Sequence, residues 1–127
     1  MSRIVLSSSV LTLALLGAPA PTAAHHPPLY ERCQVYTFEG QIEQIDWSNP
    51  HVQLFIREAD GTLHRLGWLG LQALHRAGID RSTLHVGDQV VFTASLRPDD
   101  VVDRPQLVSS LTRASDGWEW SQPLQGC

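Results

Sequence analysis

The sequence contains no lysine, only two cysteines and no apolar run as long as a membrane-spanning helix. Its N-terminal apolar stretch, Ile4 to Ala18, is shorter than the about 20 residues that such a helix needs. No transmembrane span is therefore expected in the processed chain. The nine basic residues, all arginine, are outnumbered by 13 acidic residues, which gives a net charge of −4. Because phosphate binding requires a cationic surface, nucleic-acid binding is excluded.

Motifs of enzymes and of common metal sites are also missing. There is no Gly-x-Ser-x-Gly nucleophile motif, no phosphate-binding glycine loop and no His-x-x-x-His pair. The acidic cluster within residues 99–103 lacks the spacing of a calcium loop and is interpreted as a solvated loop. We therefore expect a non-catalytic protein, although catalytic residues that only the fold brings together would leave no local motif. Three scattered histidines are expected at surface or boundary positions: His64, His75 and His85.

The remaining features are typical of one small exported domain. The 127 residues are 43% hydrophobic and 17% charged, as in a single globular domain. Residues 1–24 have the features of a signal peptide, with Arg3, the apolar stretch, and then prolines and small residues. Cleavage near Ala23 or Ala24 predicts a periplasmic or secreted protein, and a retained membrane anchor is the alternative. Removal of Arg3 leaves eight arginines against 13 acidic residues, a net charge of −5.

The two cysteines lie near the two ends of the mature chain. Residues 25–33 are predicted to form an extended arm because Pro27-Pro28 prevents regular structure, and residues 115–127 form a C-terminal tail. In an oxidising compartment an even number of cysteines favours a disulfide, here Cys33–Cys127. Such a bond would join the tail to the start of the first strand. The alternative is that Cys127, the last residue, stays free.

Alternation of apolar and polar residues between positions 34 and 114 predicts β-strands. In the first strand the alternation loses phase after Ile42 and resumes at Ile45 and Trp47, which indicates a β-bulge. Turn signals follow at residues 48–50 and 59–61. The later strands are predicted around Val52, Leu54 and Ile56; Leu63, Arg65 and Trp68; Val90, Phe92, Ala94 and Leu96; and Leu107, Ser109 and Leu111, with a short sixth segment at Trp118 to Trp120.

One short helix interrupts the strands. Leu71, Leu74 and Ala77 recur at helical spacing, and Gly78 suits the position just past a helix C-terminus. Three strands, a helix and two strands are the order of the oligonucleotide/oligosaccharide-binding (OB) barrel. The prediction is a mainly β protein with an OB-like five-stranded barrel over residues 34–114 and a short helix between strands 3 and 4. An open five-stranded α+β sheet is the alternative.

Three segments carry a family resemblance: residues 24–26 (Ala-His-His), residues 38–42 (Phe-Glu-Gly-Gln-Ile) and residues 47–51 (Trp-Ser-Asn-Pro-His). With them the sequence resembles a family of small exported bacterial proteins classed as a domain of unknown function. The resemblance extends from Ala24 to about Ala114, and it implies export and a small β-barrel but no activity. The chain departs from the family pattern at Pro27-Pro28, where serine is usual, and in its two cysteines.

The paired histidines of the processed N-terminus are candidate copper ligands. A chain that begins at Ala24 offers its amine, two amides and the His26 ring as a square-planar nitrogen site, which selects Cu(II) or Ni(II). A chain that begins at His25 offers its amine and ring, with a second histidine from the fold. His51, which follows the Asn-Pro turn, is the candidate third ligand. The alternatives are a solvated linker for the pair and a structural His51 that packs on Trp47.

Four tryptophans are candidates for a ligand surface: Trp47, Trp68, Trp118 and Trp120. Together with Asn49 they predict a binding surface for an unknown small ligand or an envelope protein, and a structural clamp near the disulfide is the alternative. Three functional hypotheses follow. The first is a non-catalytic periplasmic binding or accessory protein, the second is a copper-handling protein, and the third is an envelope interaction module that uses the edge at Trp118 and Trp120.

Overall fold

The computed structural model describes residues 33–95, 105–125 and 127. The predicted signal peptide, the histidines of the arm and Leu96 lie outside the described residues. The described part is mainly β, with six strands and one short helix between the third and fourth strands, as predicted. The elements are β1 (Val35–Asp46), β2 (Gln53–Arg57), β3 (Leu63–Gly67), α1 (Leu71–Arg76), β4 (Gln89–Ser95), β5 (Gln106–Arg113) and β6 (Glu119–Ser121).

The strands form one sheet in the order β3-β2-β1-β4-β5-β6, and these neighbours are all antiparallel. A further parallel pairing joins β3 to β5, with Leu66 opposite Gln106 and Gly67 opposite Leu107. Strands β1 to β4 therefore each have two neighbouring strands, and β5 has three. The three-residue strand β6 pairs only with β5 in the part of the chain that the structure describes.

The bulge predicted in β1 is confirmed. The pairing of β1 with β2 changes register between Ile42 and Gln44, and the first half of β1 pairs with β4. Gly40 lies just before this bend, where β1 runs very close to β2. A Cβ atom at Gly40 would lie 2.5 Å from the carbonyl oxygen of Arg57 and 2.8 Å from Cγ2 of Ile56. Only glycine fits this crossing without a backbone shift.

The core lies on one face of every long strand. As predicted, alternate residues of β2 and β4 are buried, and Leu74 carries the contact of α1 with the same core. The prediction for His64 is wrong, because this side chain is only 7% exposed. In β3 the side chains of His64 and Leu66 are buried, whereas Leu63 is exposed. The residues from which the strand was predicted, Leu63 and Arg65, therefore lie on the outer face.

The face predicted for β5 is also partly wrong. Gln106 and Val108 are buried and Leu107 and Ser109 are half-buried, whereas Leu111 is buried as predicted. The pairing of β5 with β4 changes register next to Ala94, and this second bulge shifts the inward phase by one residue. A prediction that assumes strict alternation along the whole strand cannot locate such an extra residue.

The two ends of the described chain are joined. Cys33 and Cys127 form a disulfide with a Cα–Cα distance of 5.4 Å, as the prediction had it. Gly78, with φ of 76°, follows the end of α1 in the expected left-handed conformation. Among the described residues, no helix has the length and apolar character that crossing a membrane requires.

Candidate functional site

The Trp-Ser-Asn-Pro-His segment fastens the turn between β1 and β2 to the connection between β3 and α1. The Oδ1 atom of Asn49 accepts a hydrogen bond from the backbone N–H of Leu71, at 3.2 Å, and so satisfies a free donor of the first helical turn. The carbonyl of Pro50 lies so close to Gly70 that a Cβ atom there would be 2.7 Å from its oxygen. His51 completes the contact, with Nδ1 3.2 Å from the carbonyl oxygen of Trp68.

Three of the four tryptophans form a row across this region. The ring of Trp68 lies in the centre, with its centroid 6.4 Å from that of Trp47 and 5.3 Å from that of Trp120. Trp68 is 4% exposed, and its Nε1 is the single buried side-chain nitrogen or oxygen without a hydrogen-bond partner in the described part of the chain. A buried donor without an acceptor costs about 1–3 kcal/mol.

A cleft of about 390 Å³ opens beside Trp68 and Trp120 and is called the Trp120 cleft. Its volume falls within the range of small-molecule sites, about 300–1,000 Å³. The cleft is bounded by the β1–β2 turn, the end of β3, the start of β5 and the C-terminal tail. Its polar and aromatic walls are His51, Trp68, Trp120, Gln122 and Gln125, and prolines, leucines, glycines and Val108 complete it.

The tail forms one wall of the Trp120 cleft and is fixed at both ends. At one end the N–H of Gln122 donates to the carbonyl of Ser109, at 2.9 Å. At the other end Cys127 is bonded to Cys33. Leu124 lies between these two attachments and lines the cleft. The disulfide therefore holds the cleft wall in place.

Trp118 and Trp120 have different surroundings although they are two residues apart. Both are half-buried against the core, so the aromatic edge is less exposed than the interaction hypothesis assumed. Trp118 packs below the guanidinium of Arg113, 5.8 Å from its ring centroid, and it does not line the Trp120 cleft. Arg113 also binds Asp116, and this hydrogen bond lowers the pKa of Asp116 from 3.8 to about 2. Trp118 thus packs against the turn before β6 and stabilises it.

A second cleft, of about 500 Å³, lies on the other side of the row between Trp47, α1 and the loop after it. The guanidinium of Arg81 covers Trp47, 6.0 Å from the ring centroid, and donates to the Trp47 carbonyl at 3.2 Å. Asp80, which also lines this cleft, has its pKa lowered by hydrogen bonds from the Ser82 side chain and backbone. Arg81, Asp80 and Ser82 are thus already engaged within the protein, so we assign this cleft a structural role.

The buried His64 joins two strands and a turn, and sequence reasoning missed it. Its Nδ1 lies 2.8 Å from Oε1 of Gln106, whose Nε2 donates to the carbonyl of Ser95 at 3.0 Å. This second bond orients the Gln106 amide so that its oxygen faces His64, and Nδ1 therefore carries a proton. Its Nε2 lies 2.5 Å from Oε1 of Glu58. Both ring nitrogens of His64 therefore have a hydrogen-bond partner.

Aromatic rings surround this histidine on two sides. The centroid of Phe38 lies 4.5 Å from that of His64, and the centroid of Phe92 lies 5.2 Å away. No pattern in the sequence distinguishes such a histidine from an exposed one, because its partners are 6 and 42 residues away. The network satisfies every polar atom that it buries, so its evident role is structural.

An acidic cleft near this network contains Glu39, Glu43, Glu58 and Asp60 with one arginine, Arg57. Arg57 binds both carboxylate oxygens of Glu43, which lowers the pKa of Glu43. The N–H of Thr62 donates to Asp60 and lowers its pKa likewise. Most of these acids are thus engaged within the protein.

The residues predicted as metal ligands are not brought together in the described part of the chain. His25 and His26 lie outside it, and it contains no group of three or more histidine, cysteine, aspartate or glutamate side chains placed to hold a metal. His51 is exposed and uses Nδ1 for the Trp68 carbonyl. Its Nε2 remains open at the rim of the Trp120 cleft.

The comparison with known families agrees with the resemblance noted in the sequence. The model of the family of unknown function DUF6152 matches residues 13–100, more than half of the chain. The chain belongs to this family. No curated protein matches the chain. No solved structure matches it either.

The family match covers only part of the Trp120 cleft. The matched range includes Asn49, His51 and Trp68 but ends before β5. Trp120, the two glutamines of the tail and Cys127 follow that range. The hydrogen bond between Asn49 and Leu71 is therefore within the region assigned to the family, and the tail wall of the Trp120 cleft is outside it.

Proposed function

We propose that this chain is an exported, non-catalytic binding protein built on an OB-like barrel, with its ligand in the Trp120 cleft. The barrel interpretation is supported by the β3–β5 pairing, which connects the strands in the cyclic order β1-β2-β3-β5-β4. In OB barrels the β1–β2 and β4–β5 loops flank the ligand. His51, from the first of these loops, and Pro105, directly before β5, both line the Trp120 cleft.

One observation carries the binding proposal: a concave site with aromatic walls contains polar groups that other described residues do not fully use. His51 keeps one ring nitrogen open, and Gln122 and Gln125 place side-chain amides along the tail wall. A few convergent polar groups on an apolar cleft are the usual composition of a small-molecule site. The second cleft differs, because there Arg81 already covers Trp47.

The binding proposal is tested with a library of neutral and charged small molecules, by saturation-transfer NMR on the disulfide-bonded protein. We expect at least one chemical class to bind, with the signal lost in Trp120→Ala and retained in Trp118→Ala. The second variant is a matched control, because it removes the same half-buried side chain two positions away, outside the cleft. Equal loss of binding in the two variants, or no binding by any class, would refute the assignment of the cleft.

Export is tested separately by expressing the full-length chain in a Gram-negative host. Native mass spectrometry of the periplasmic fraction should give a chain that begins at Ala24 or His25 and has lost two hydrogens to the disulfide. Recovery of the uncleaved chain from the cytoplasmic fraction would contradict export, and recovery of the uncleaved chain from the membrane fraction would favour the retained anchor.

Copper handling is a second proposal, favoured by the open Nε2 of His51. In it, His25 or His26 joins His51 around one Cu(II) ion. Addition of Cu(II) to the processed protein should give a one-ion mass adduct and a visible d–d absorption band. We expect both to be lost in the His25→Ala/His26→Ala variant and weakened in His51→Ala. Unchanged copper affinity in the double variant would exclude this site, with His85→Ala as the control for an exposed histidine elsewhere.

A further inference from the structure

The Trp120 cleft offers hydrogen-bonding groups without formal charge. None of the described residues that line it is an aspartate, glutamate, lysine or arginine. A charged ligand would lose hydration there and gain no counter-ion from these residues, which is costly. The net charge of −4 adds a general repulsion of anions. The ligand that fits this cleft is therefore neutral.

The polar groups of the cleft require a ligand that both donates and accepts hydrogen bonds. Gln122 and Gln125 each offer a side-chain amide, with two donors and one acceptor. Because Nδ1 of His51 faces a carbonyl oxygen, Nδ1 carries the proton and Nε2 is an acceptor when the ring is neutral. Hydroxyl groups meet all of these requirements, since each one donates and accepts.

The apolar part of the cleft suits a ring with one apolar face. Trp120 is half-buried and meets Trp68 edge to face, with Leu107 and Pro123 beside it. A flat aromatic surface takes up the C–H face of a sugar ring, and the hydroxyls at the ring edge remain free for the amides.

From these groups we infer that the Trp120 cleft binds a short neutral saccharide, with one ring stacked on Trp120 and its hydroxyls bonded to Gln122, Gln125 and His51. This inference rests on the proposed binding function and names its ligand class. A proline-rich peptide also fits aromatic grooves, but proline has no N–H to donate to the His51 ring or to the glutamine oxygens. A nucleotide would need a cation for its phosphate.

The test uses the disulfide-bonded protein and four probes: cellotriose, triacetylchitotriose, decaproline and sucrose octasulfate. Binding is followed by the shift of the tryptophan indole N–H signals in ¹H–¹⁵N spectra, assigned by single variants. We expect one of the two neutral saccharides to shift the Trp120 and Trp68 signals in a saturable way. Trp120→Ala should weaken this binding at least tenfold and Gln122→Ala severalfold, whereas Trp118→Ala should stay within twofold.

The other outcomes separate the inference from the proposed function. If decaproline or sucrose octasulfate shifts the Trp120 signal and neither saccharide does, the cleft is a binding site but the saccharide inference is wrong. If neither the four probes nor the small-molecule library shifts it, both proposals fail. Saccharide binding that Trp120→Ala leaves unchanged would place the ligand elsewhere and overturn the inference.

Discussion

Replacing His64 by phenylalanine tests whether the buried network stabilises the fold. Phenylalanine keeps an aromatic ring between Phe38 and Phe92 and removes both hydrogen bonds of the histidine. The Oε1 atom of Gln106 is then buried without a donor, at a cost of about 1–3 kcal/mol. The bond to Glu58 adds a smaller loss, because the Glu58 side chain is 27% exposed and can be hydrated instead.

We therefore expect His64→Phe to lower the free energy of unfolding by about 2–4 kcal/mol. The assay is urea unfolding at neutral pH, followed by tryptophan fluorescence and by circular dichroism. His85→Phe, at an exposed turn position, is the control and should change stability by about 0.5 kcal/mol or less. A His64→Phe protein as stable as the control would refute the reasoning.

A second variant separates the lost polar partners from the change of shape. In His64→Phe/Gln106→Leu both members of the buried pair are apolar, and replacing both partners costs much less than orphaning one. We expect the double variant to regain about 1 kcal/mol relative to His64→Phe. If the double variant is instead less stable than the wild type by the sum of the losses in His64→Phe and Gln106→Leu, the unpaired Gln106 oxygen is not the cause of the instability of His64→Phe.

Three further predictions concern stability. Gly40→Ala should cost about 1–3 kcal/mol in urea unfolding because its Cβ would overlap a carbonyl of β2; an unchanged urea midpoint would contradict this. Asp116 is stabilised by Arg113 while it is ionised, so its contribution is present above pH 3.8 and is lost as the pH falls towards about 2. In acid-unfolding curves Asp116→Asn should therefore be less stable than the wild type above pH 3.8. The difference in stability should shrink as the pH falls from 3.8 towards about 2, and a constant difference would contradict this. Replacing Cys33 and Cys127 by serine should cost up to about 4–5 kcal/mol by loop entropy, measured as a lower urea midpoint; an unchanged midpoint would show that the loop is not constraining.

The fold was more predictable than the site, and particular residues show why. The phase change after Ile42 could be seen because large apolar residues lie on both sides of it. The bulge in β5 falls among serines, Ser109 and Ser110, which give no apolar phase to interrupt. Strand β3 has leucines in both phases, so His64 could not be assigned to the inside from periodicity alone.

The candidate site depends on contacts between distant segments. Asn49 was named for a binding surface, yet its side chain accepts a hydrogen bond from Leu71, 22 residues later. Trp120 was named as a candidate, but its neighbour Trp68 is 52 positions away and the glutamines of the tail follow no period. Such a cleft is created by strand order and by the disulfide, and local spacing does not contain this information.

The disulfide makes the described domain a covalent ring, since it joins positions 33 and 127 on either side of all six strands. The Cα atoms of the two cysteines are 5.4 Å apart, less than the about 6.6–7.2 Å that two extended residues span. A peptide linker of a few residues can therefore replace the bond. New ends can then be opened at the exposed Asp60-Gly61 turn. Such a circular permutant would keep every strand pairing, and it would carry the cleft wall as continuous backbone that reducing agents cannot release.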